Sequence, residues 1–64
     1  NQHFFDFVNE YRIEEAKSIL KNPDKKEFTV LEILYDVGFN SKSSFNTAFK
    51  KHTGLTPTQF RKKH

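Results

Sequence analysis

The chain has 64 residues, one small domain at most, and a domain of this size buries only about 60% of its unfolded surface. It has no cysteine and only three scattered histidines, so neither a disulfide nor a zinc ion is expected to stabilise the fold. Its net charge of +3 favours an anionic partner. No apolar run is long enough to span a membrane and no basic-then-apolar leader opens the chain, so we expect a soluble protein.

The basic charge is concentrated in the second half of the chain. Acidic and basic residues are mixed up to Asp36, and no Asp or Glu follows it. The basic residues beyond that point are Lys42, Lys50, Lys51, Arg61, Lys62 and Lys63. An anion-binding surface is therefore expected in this half.

Residues 3–21 contain neither Gly nor Pro and are predicted to form one long helix, which ends at Asn22-Pro23-Asp24. At 100° per residue this helix has two apolar faces. The N-terminal apolar face consists of Phe4, Phe7, Val8 and Tyr11. The C-terminal apolar face consists of Ile13, Ala16, Ile19 and Leu20. A chain of this length can cover only one face, so we expect the N-terminal apolar face to be exposed and to bind a partner.

A second helix, predicted over residues 29–37, begins with a capping box, because Glu32 lies three residues after Thr29. Its apolar residues follow the i, i+3, i+4, i+7 rule, which indicates a single buried face. Gly38 ends this helix, since glycine tolerates the left-handed conformation. Ser41 then caps a third helix over residues 41–52 after a turn of only a few residues. Two short helices joined in this way are the outline of a helix-turn-helix.

The third helix is predicted to bury Phe45 and Phe49 and to expose a polar face that is nearly free of acids. Four residues of that face could contact base edges in the major groove: Lys42, Ser43, Asn46 and Thr47. A final short helix, predicted over residues 57–63, begins with a proline and is anchored by Phe60. For the polar face of the third helix, the alternative to DNA contact is an ordinary solvated surface. The tight turn before this helix and the one-sided basic charge favour double-stranded DNA as the partner.

Backbone phosphates are expected to bind at the basic residues and at the capped start of the second helix. The candidates are Thr29, Lys50, Lys51 and Arg61. Arg12 falls within the apolar arc of the first helix, so we expect it to pair with an acid such as Glu32 or Asp36. For each single lysine the alternative role is solubility.

No pattern in the chain supports catalysis. There is no Ser-His-Asp order, no glycine-rich loop and no histidine spacing typical of a metal site. We therefore predict no enzyme activity, no metal, no cofactor and no small-molecule ligand in this chain. The competing hypothesis is a protein-interaction or dimerisation module that uses the N-terminal apolar face, in which the basic charge serves solubility and two copies form a homodimer.

Six short motifs cover nearly the whole chain: Phe4-x-x-Phe7-Val8-Asn9-x-x-Arg12-Ile13-x-x-Ala16, Val37-Gly38-Phe39, Ser44-Phe45, Phe49-Lys50-Lys51, Gly54-Leu55-Thr56-Pro57 and Phe60-Arg61. In their combined spacing the chain resembles the AraC/XylS family of bacterial transcription regulators. The resemblance implies a homeodomain-like, all-helical fold and sequence-specific DNA binding. One departure is Leu34, where the family usually has a small alanine at the helix crossing.

In that family the DNA-binding domain has two helix-turn-helix units, joined by a long helix that packs on both. The resemblance therefore implies that this chain holds the linking helix and the second unit, a partial domain. It also implies that an N-terminal helix-turn-helix and a regulatory domain lie elsewhere in the parent protein, which is a cytoplasmic regulator or the cytoplasmic end of a larger one.

Overall fold

A computed structural model describes residues 2–63, with the side chains of residues 7–63. Over this range the fold is all-helical, as predicted, and each helix begins and ends within one residue of the expected bounds. The helices are α1 (Gln2–Lys21), α2 (Val30–Asp36), α3 (Lys42–Thr53) and α4 (Pro57–Lys63), with a 3-10 turn at Pro23–Lys25 between α1 and α2. The side chain of Phe4, which belongs to the predicted interface, lies outside the described residues.

Side-chain caps fix where the helices begin. At α2 the Thr29 hydroxyl accepts from the Glu32 amide, and the Glu32 carboxylate accepts from the Thr29 amide at 2.9 Å. The Ser41 hydroxyl accepts from the Ser44 amide at the start of α3. The predicted capping box and the predicted Ser41 cap are confirmed, and each satisfies backbone amides that have no partner inside the helix.

Two glycines fix where helices α2 and α3 end. Gly38 follows α2 with φ of 106°, and Gly54 follows α3 with φ of 82°, a region that residues with a Cβ rarely adopt. After α2 the Phe39 amide donates to the Leu34 carbonyl at 2.8 Å and the Gly38 amide donates to the Tyr35 carbonyl. This pair of bonds is a Schellman motif, and it turns the chain sharply towards α3.

Four phenylalanines form a continuous row through the core. The Phe39 and Phe45 ring centroids are 5.2 Å apart, Phe45 and Phe49 are 5.6 Å apart, and Phe49 and Phe60 are 5.4 Å apart. All four are buried, as the sequence predicted for Phe45, Phe49 and Phe60. The row joins the turn, α3 and α4, so it sets the position of α3 relative to the rest of the fold.

The C-terminal half of α1 closes this core from the other side. Ile13, Ala16 and Leu20 are buried, and Ile19 packs against the core while partly exposed. Leu34 is also fully buried, so the core accommodates the larger side chain at the position where the resemblance implied alanine. The C-terminal apolar face of α1 is thus the one that this chain covers.

The predicted pairing of Arg12 with an acid is wrong. Among the described side chains, Glu14 forms an ion pair with Lys17 and a hydrogen bond with His52, and neither contact involves Arg12. The Arg12 guanidinium lies instead 5.9 Å from the centroid of the Phe39 ring and packs against Gly38. Because Arg12 is only partly buried, its charge stays hydrated and needs no buried carboxylate.

No helix among the described residues has the length and apolar character that a membrane span requires. Within the same residues, no three side chains of the kinds that bind metals lie together.

Candidate nucleic-acid interface

The predicted base-reading residues lie on two adjacent rows of α3. Ser43 and Thr47 are one turn apart and form one row, and Lys42 and Asn46 form the other. Lys42, Ser43 and Thr47 are exposed, whereas Asn46 is partly buried. The structure therefore leaves three of the four side chains exposed and Asn46 partly accessible.

A groove of about 600 Å³ runs between α1 and α3 beside these rows. Its α1 wall consists of Asn9, Glu10 and Ile13. Its α3 wall consists of Ser43, Ser44, Thr47, Ala48, Lys51 and His52. Ser44 and His52 were not among the sequence candidates. The sequence could have indicated Ser44, because it follows Ser43 on the exposed start of α3. The groove itself depends on how α1 and α3 pack, which the sequence pattern does not give.

His52 links α3 to α1 through Glu14. The His52 Nε2 atom lies 2.9 Å from the Glu14 carboxylate, which also accepts from Lys17 Nζ at 3.1 Å. The hydrogen bond from His52, and then the one from Lys17, lower the pKa of Glu14 below its usual range. No local pattern could reveal this contact, because 38 residues separate the two side chains.

The predicted phosphate-binding residues are in unequal surroundings. Lys50 and Lys51 are exposed at the C-terminal end of α3. At Thr29 the backbone amide already donates to the Glu32 carboxylate, and this bond lowers the pKa of Glu32. A fixed negative charge at the start of α2 opposes phosphate binding there. The role of Thr29 stays a prediction, and Lys50 and Lys51 are the better-placed candidates.

Arg61 makes contacts that the sequence did not suggest. Its Nη2 atom donates to the carbonyl of Lys25 at 3.1 Å and to the carbonyl of Lys26 at 3.3 Å. The side chain is partly buried and connects α4 to the segment between α1 and α2. Its contact with phosphate stays a prediction, and the two carbonyl contacts give the side chain a structural role as well.

The described part of the N-terminal apolar face is largely exposed. Phe7 is 69% exposed and Tyr11 is 65% exposed, and Val8 is partly buried. Among residues 7–63, whose side chains the structure describes, nothing covers the two aromatic rings, and exposed apolar surface of this kind is typical of a protein contact.

The sequence matches the family described as "Helix-turn-helix domain" over residues 1–63. The chain belongs to the AraC-type helix-turn-helix family. It is thus a DNA-binding domain of the kind found in transcription regulators. In the structure, the short helices α2 and α3, joined by a tight turn that contains Gly38, form the helix-turn-helix.

Similar proteins to this AraC-type domain are named as transcription regulators. An uncharacterised helix-turn-helix regulator in the cgkA 5' region of Pseudoalteromonas carrageenovora is 49% identical over 55 residues, which are 86% of this chain and 30% of that protein. The melibiose operon regulatory protein of Escherichia coli is 34% identical over 56 residues, 88% of this chain and 18% of that protein.

A shorter relative is the probable transcription factor PqrA of Proteus vulgaris, which is 36% identical over 56 residues, 88% of this chain and 43% of that protein. The AraC-type domain therefore spans less than half the length of each of these relatives. The chain has no significant match among solved structures.

Proposed function

We propose that α3 enters the major groove of duplex DNA and reads base edges with Lys42, Ser43, Asn46 and Thr47. The observation that carries this proposal is the outward face of α3, a helix held in place by two buried phenylalanines. Its exposed side chains are short hydrogen-bonding groups and basic residues, and α3 contains no acid. This composition suits a groove-reading helix, because base edges present donors and acceptors while phosphates repel carboxylates.

Each of the four residues has a role that follows from its chemistry. Asn46 suits a bidentate pair with adenine and Lys42 suits the acceptors of guanine, while the hydroxyls of Ser43 and Thr47 suit several base edges. Because Asn46 is partly buried, Ser43 and Thr47 carry a larger share of the contacts in this proposal. Lys50 and Lys51 bind phosphates on the flanking backbone and fix the register of the helix.

We further propose that the chain is the second of two helix-turn-helix units in a longer bacterial regulator, with α1 as the linking helix. The exposed Phe7 and Tyr11 support this proposal, since a first unit packed on the N-terminal apolar face would cover them. The greater length of the relatives also supports it and leaves room for a regulatory domain. Such a regulator acts on DNA in the cytoplasm.

In the absence of the first unit, two copies of this chain could pair through the same face as a homodimer. The exposure of Phe7 and Tyr11 supports this pairing. Size-exclusion chromatography with light scattering tests this assembly, and a strict monomer at high concentration would contradict it.

The DNA-reading proposal is tested with DNA sequences selected from a random pool by the unmodified chain. Binding is then measured at low salt, because one isolated unit makes few contacts. We expect Asn46→Ala and Thr47→Val to change the sequence preference, since a good base contact is worth about 1–3 kcal/mol of discrimination.

The control for base reading is Lys50→Ala, which is expected to weaken binding to all duplexes evenly and to reduce the salt slope by about 0.9. Equal losses on selected and random duplexes for Asn46→Ala and Thr47→Val would refute base reading. A salt slope near zero for the unmodified chain would refute DNA binding altogether and favour the protein-interaction module.

A further inference from the structure

Arg61 holds two parts of the fold together that lie far apart in sequence. One guanidinium nitrogen donates to the carbonyls of both Lys25 and Lys26, which precede it by 36 and 35 residues. These two carbonyls belong to the connection between α1 and α2, residues 22–29. Arg61 therefore fixes the backbone of this connection against α4.

The connection is ordered by its own hydrogen bonds as well. The Asn22 side chain accepts from the Asp24 amide at 2.9 Å, and the Lys25 amide donates to the Asn22 carbonyl at 3.0 Å. The Phe28 amide donates to the Lys25 carbonyl at 3.2 Å. With Arg61 added, the Lys25 carbonyl accepts two hydrogen bonds. The backbone is thus constrained, while the side chains of Lys25 and Lys26 are exposed.

Both lysines are exposed to solvent, although Lys25 lines a groove together with Glu32 and Asp36. Among the described side chains, neither forms an ion pair, although Asp24 and Glu27 are their exposed neighbours in sequence. Lys62 and Lys63 follow Arg61 on α4 and are exposed too. The packing of α4 therefore brings Arg61, on a helix that ends in two exposed lysines, to the backbone of Lys25 and Lys26.

In homeodomains, which are three-helix variants of the helix-turn-helix, the loop between the first two helices contacts the DNA backbone while the third helix lies in the major groove. The corresponding loop here is the connection that contains Lys25 and Lys26. We propose that these two lysines bind DNA phosphates, and that Arg61 is a positioning residue that holds their backbone through its two carbonyl hydrogen bonds. This inference rests on the proposed DNA binding by α3.

The salt dependence of duplex binding tests the lysines. Each phosphate contact contributes about 0.9 to the slope of log affinity against log salt, so the double substitution Lys25→Ala/Lys26→Ala should reduce the slope by about 1.8. Between 50 and 200 mM salt its affinity should then fall roughly tenfold less than that of the unmodified chain. The matched control is Lys17→Ala/Lys21→Ala, which removes the same charge from α1 and should change the slope little.

Equal slopes for the two double variants would overturn the inference about Lys25 and Lys26 and would leave the reading by α3 intact. Binding by the unmodified chain that does not depend on salt would instead overturn the proposed function, and this inference with it. Circular dichroism at the assay temperature checks that both variants are folded.

Arg61→Lys separates positioning from direct contact. Lysine keeps the charge, but its nitrogen ends one bond short of the position of Arg61 Nη2, so it does not reach both carbonyls from the same backbone position. If Arg61 positions the connection, Arg61→Lys should reduce the salt slope, speed amide hydrogen exchange at Phe28, and add little in the Lys25→Ala/Lys26→Ala background. If Arg61→Lys changes neither the salt slope nor the exchange at Phe28, the positioning role is overturned. It is also overturned if the slope changes of Arg61→Lys and of Lys25→Ala/Lys26→Ala add in full, because Arg61 would then contact phosphate independently of the two lysines.

Discussion

Replacing Gly38 by alanine tests the turn that joins α2 to α3. The φ of 106° at Gly38 and of 82° at Gly54 lie where a residue with a Cβ is strained by about 1–2 kcal/mol. The two sites differ in their surroundings. A Cβ on Gly38 would lie 3.0 Å from Nε of Arg12, whereas a Cβ on Gly54 would meet no atom within 4 Å. Gly54→Ala is therefore a matched control that has the backbone strain without the contact.

The contact sets the size of the expected difference. To make room, the Arg12 guanidinium has to move from its place over the Phe39 ring, which forfeits about 0.5–1 kcal/mol. We expect Gly54→Ala to destabilise the fold by about 1–2 kcal/mol and Gly38→Ala by about 1.5–3 kcal/mol. In a domain of this size, each 1 kcal/mol lowers Tm by roughly 4–8 °C, so Gly38→Ala should melt roughly 2–8 °C below Gly54→Ala.

Thermal unfolding followed by circular dichroism measures both variants, alone and with Arg12→Ala. In the Arg12→Ala background the two glycine substitutions should have equal effects on Tm, because the contact is gone. An excess cost of Gly38→Ala that persists without Arg12 would refute the proposed contact. A neutral Gly54→Ala would refute the argument from positive φ.

Two further predictions concern the core and the α2 cap. Phe49→Leu removes two aromatic contacts worth about 0.5–1.5 kcal/mol each, so Tm should fall by roughly 4–24 °C. The control is Phe7→Leu at an exposed site, which should leave Tm unchanged. If the two variants have the same Tm, the stabilising role of the phenylalanine row is contradicted. The folded-state pKa of Glu32 lies below its ordinary value of 4.5 because of the bond from Thr29, so its stabilisation is present above that value and is lost as the pH falls through the lowered pKa. Glu32→Gln should keep the cap, because at α4 the Gln59 side chain accepts from the Thr56 amide in the same way. The variant should lose less Tm than the unmodified chain as the pH falls below 4.5. The same loss of Tm in both proteins would contradict the contribution of the Glu32 charge.

The sequence by itself determined the helices and their ends. The capping box at Thr29, the cap at Ser41 and the two glycines act over a few residues, and their geometry depends only on the local backbone. The spacing of Phe45 and Phe49 likewise identified the buried face of α3, because the helical period fixes which side chains share a face. The outward face of α3, and with it the predicted base-reading residues, followed from the same period.

The surroundings of Arg12 were not predictable from the helical period. The helical period placed Arg12 beside apolar residues, and the cost of burying a charge then suggested an acidic partner. That cost depends on how deeply the guanidinium is buried, which the period does not give. In the fold, Arg12 is partly exposed over Phe39, beside a glycine that leaves room for it.

Only the tertiary structure decided which distant groups meet. The bonds from Arg61 to the Lys25 and Lys26 carbonyls, and the contact of His52 with Glu14, join residues that are 35 to 38 positions apart. Such contacts depend on the angles at which α1, α3 and α4 pack, and those angles follow from the packing of the buried phenylalanines against Ile13, Ala16 and Leu20 of α1. A local pattern has no access to that packing, so the sequence indicated which residues could bind DNA while the fold decided which of them are free to do so.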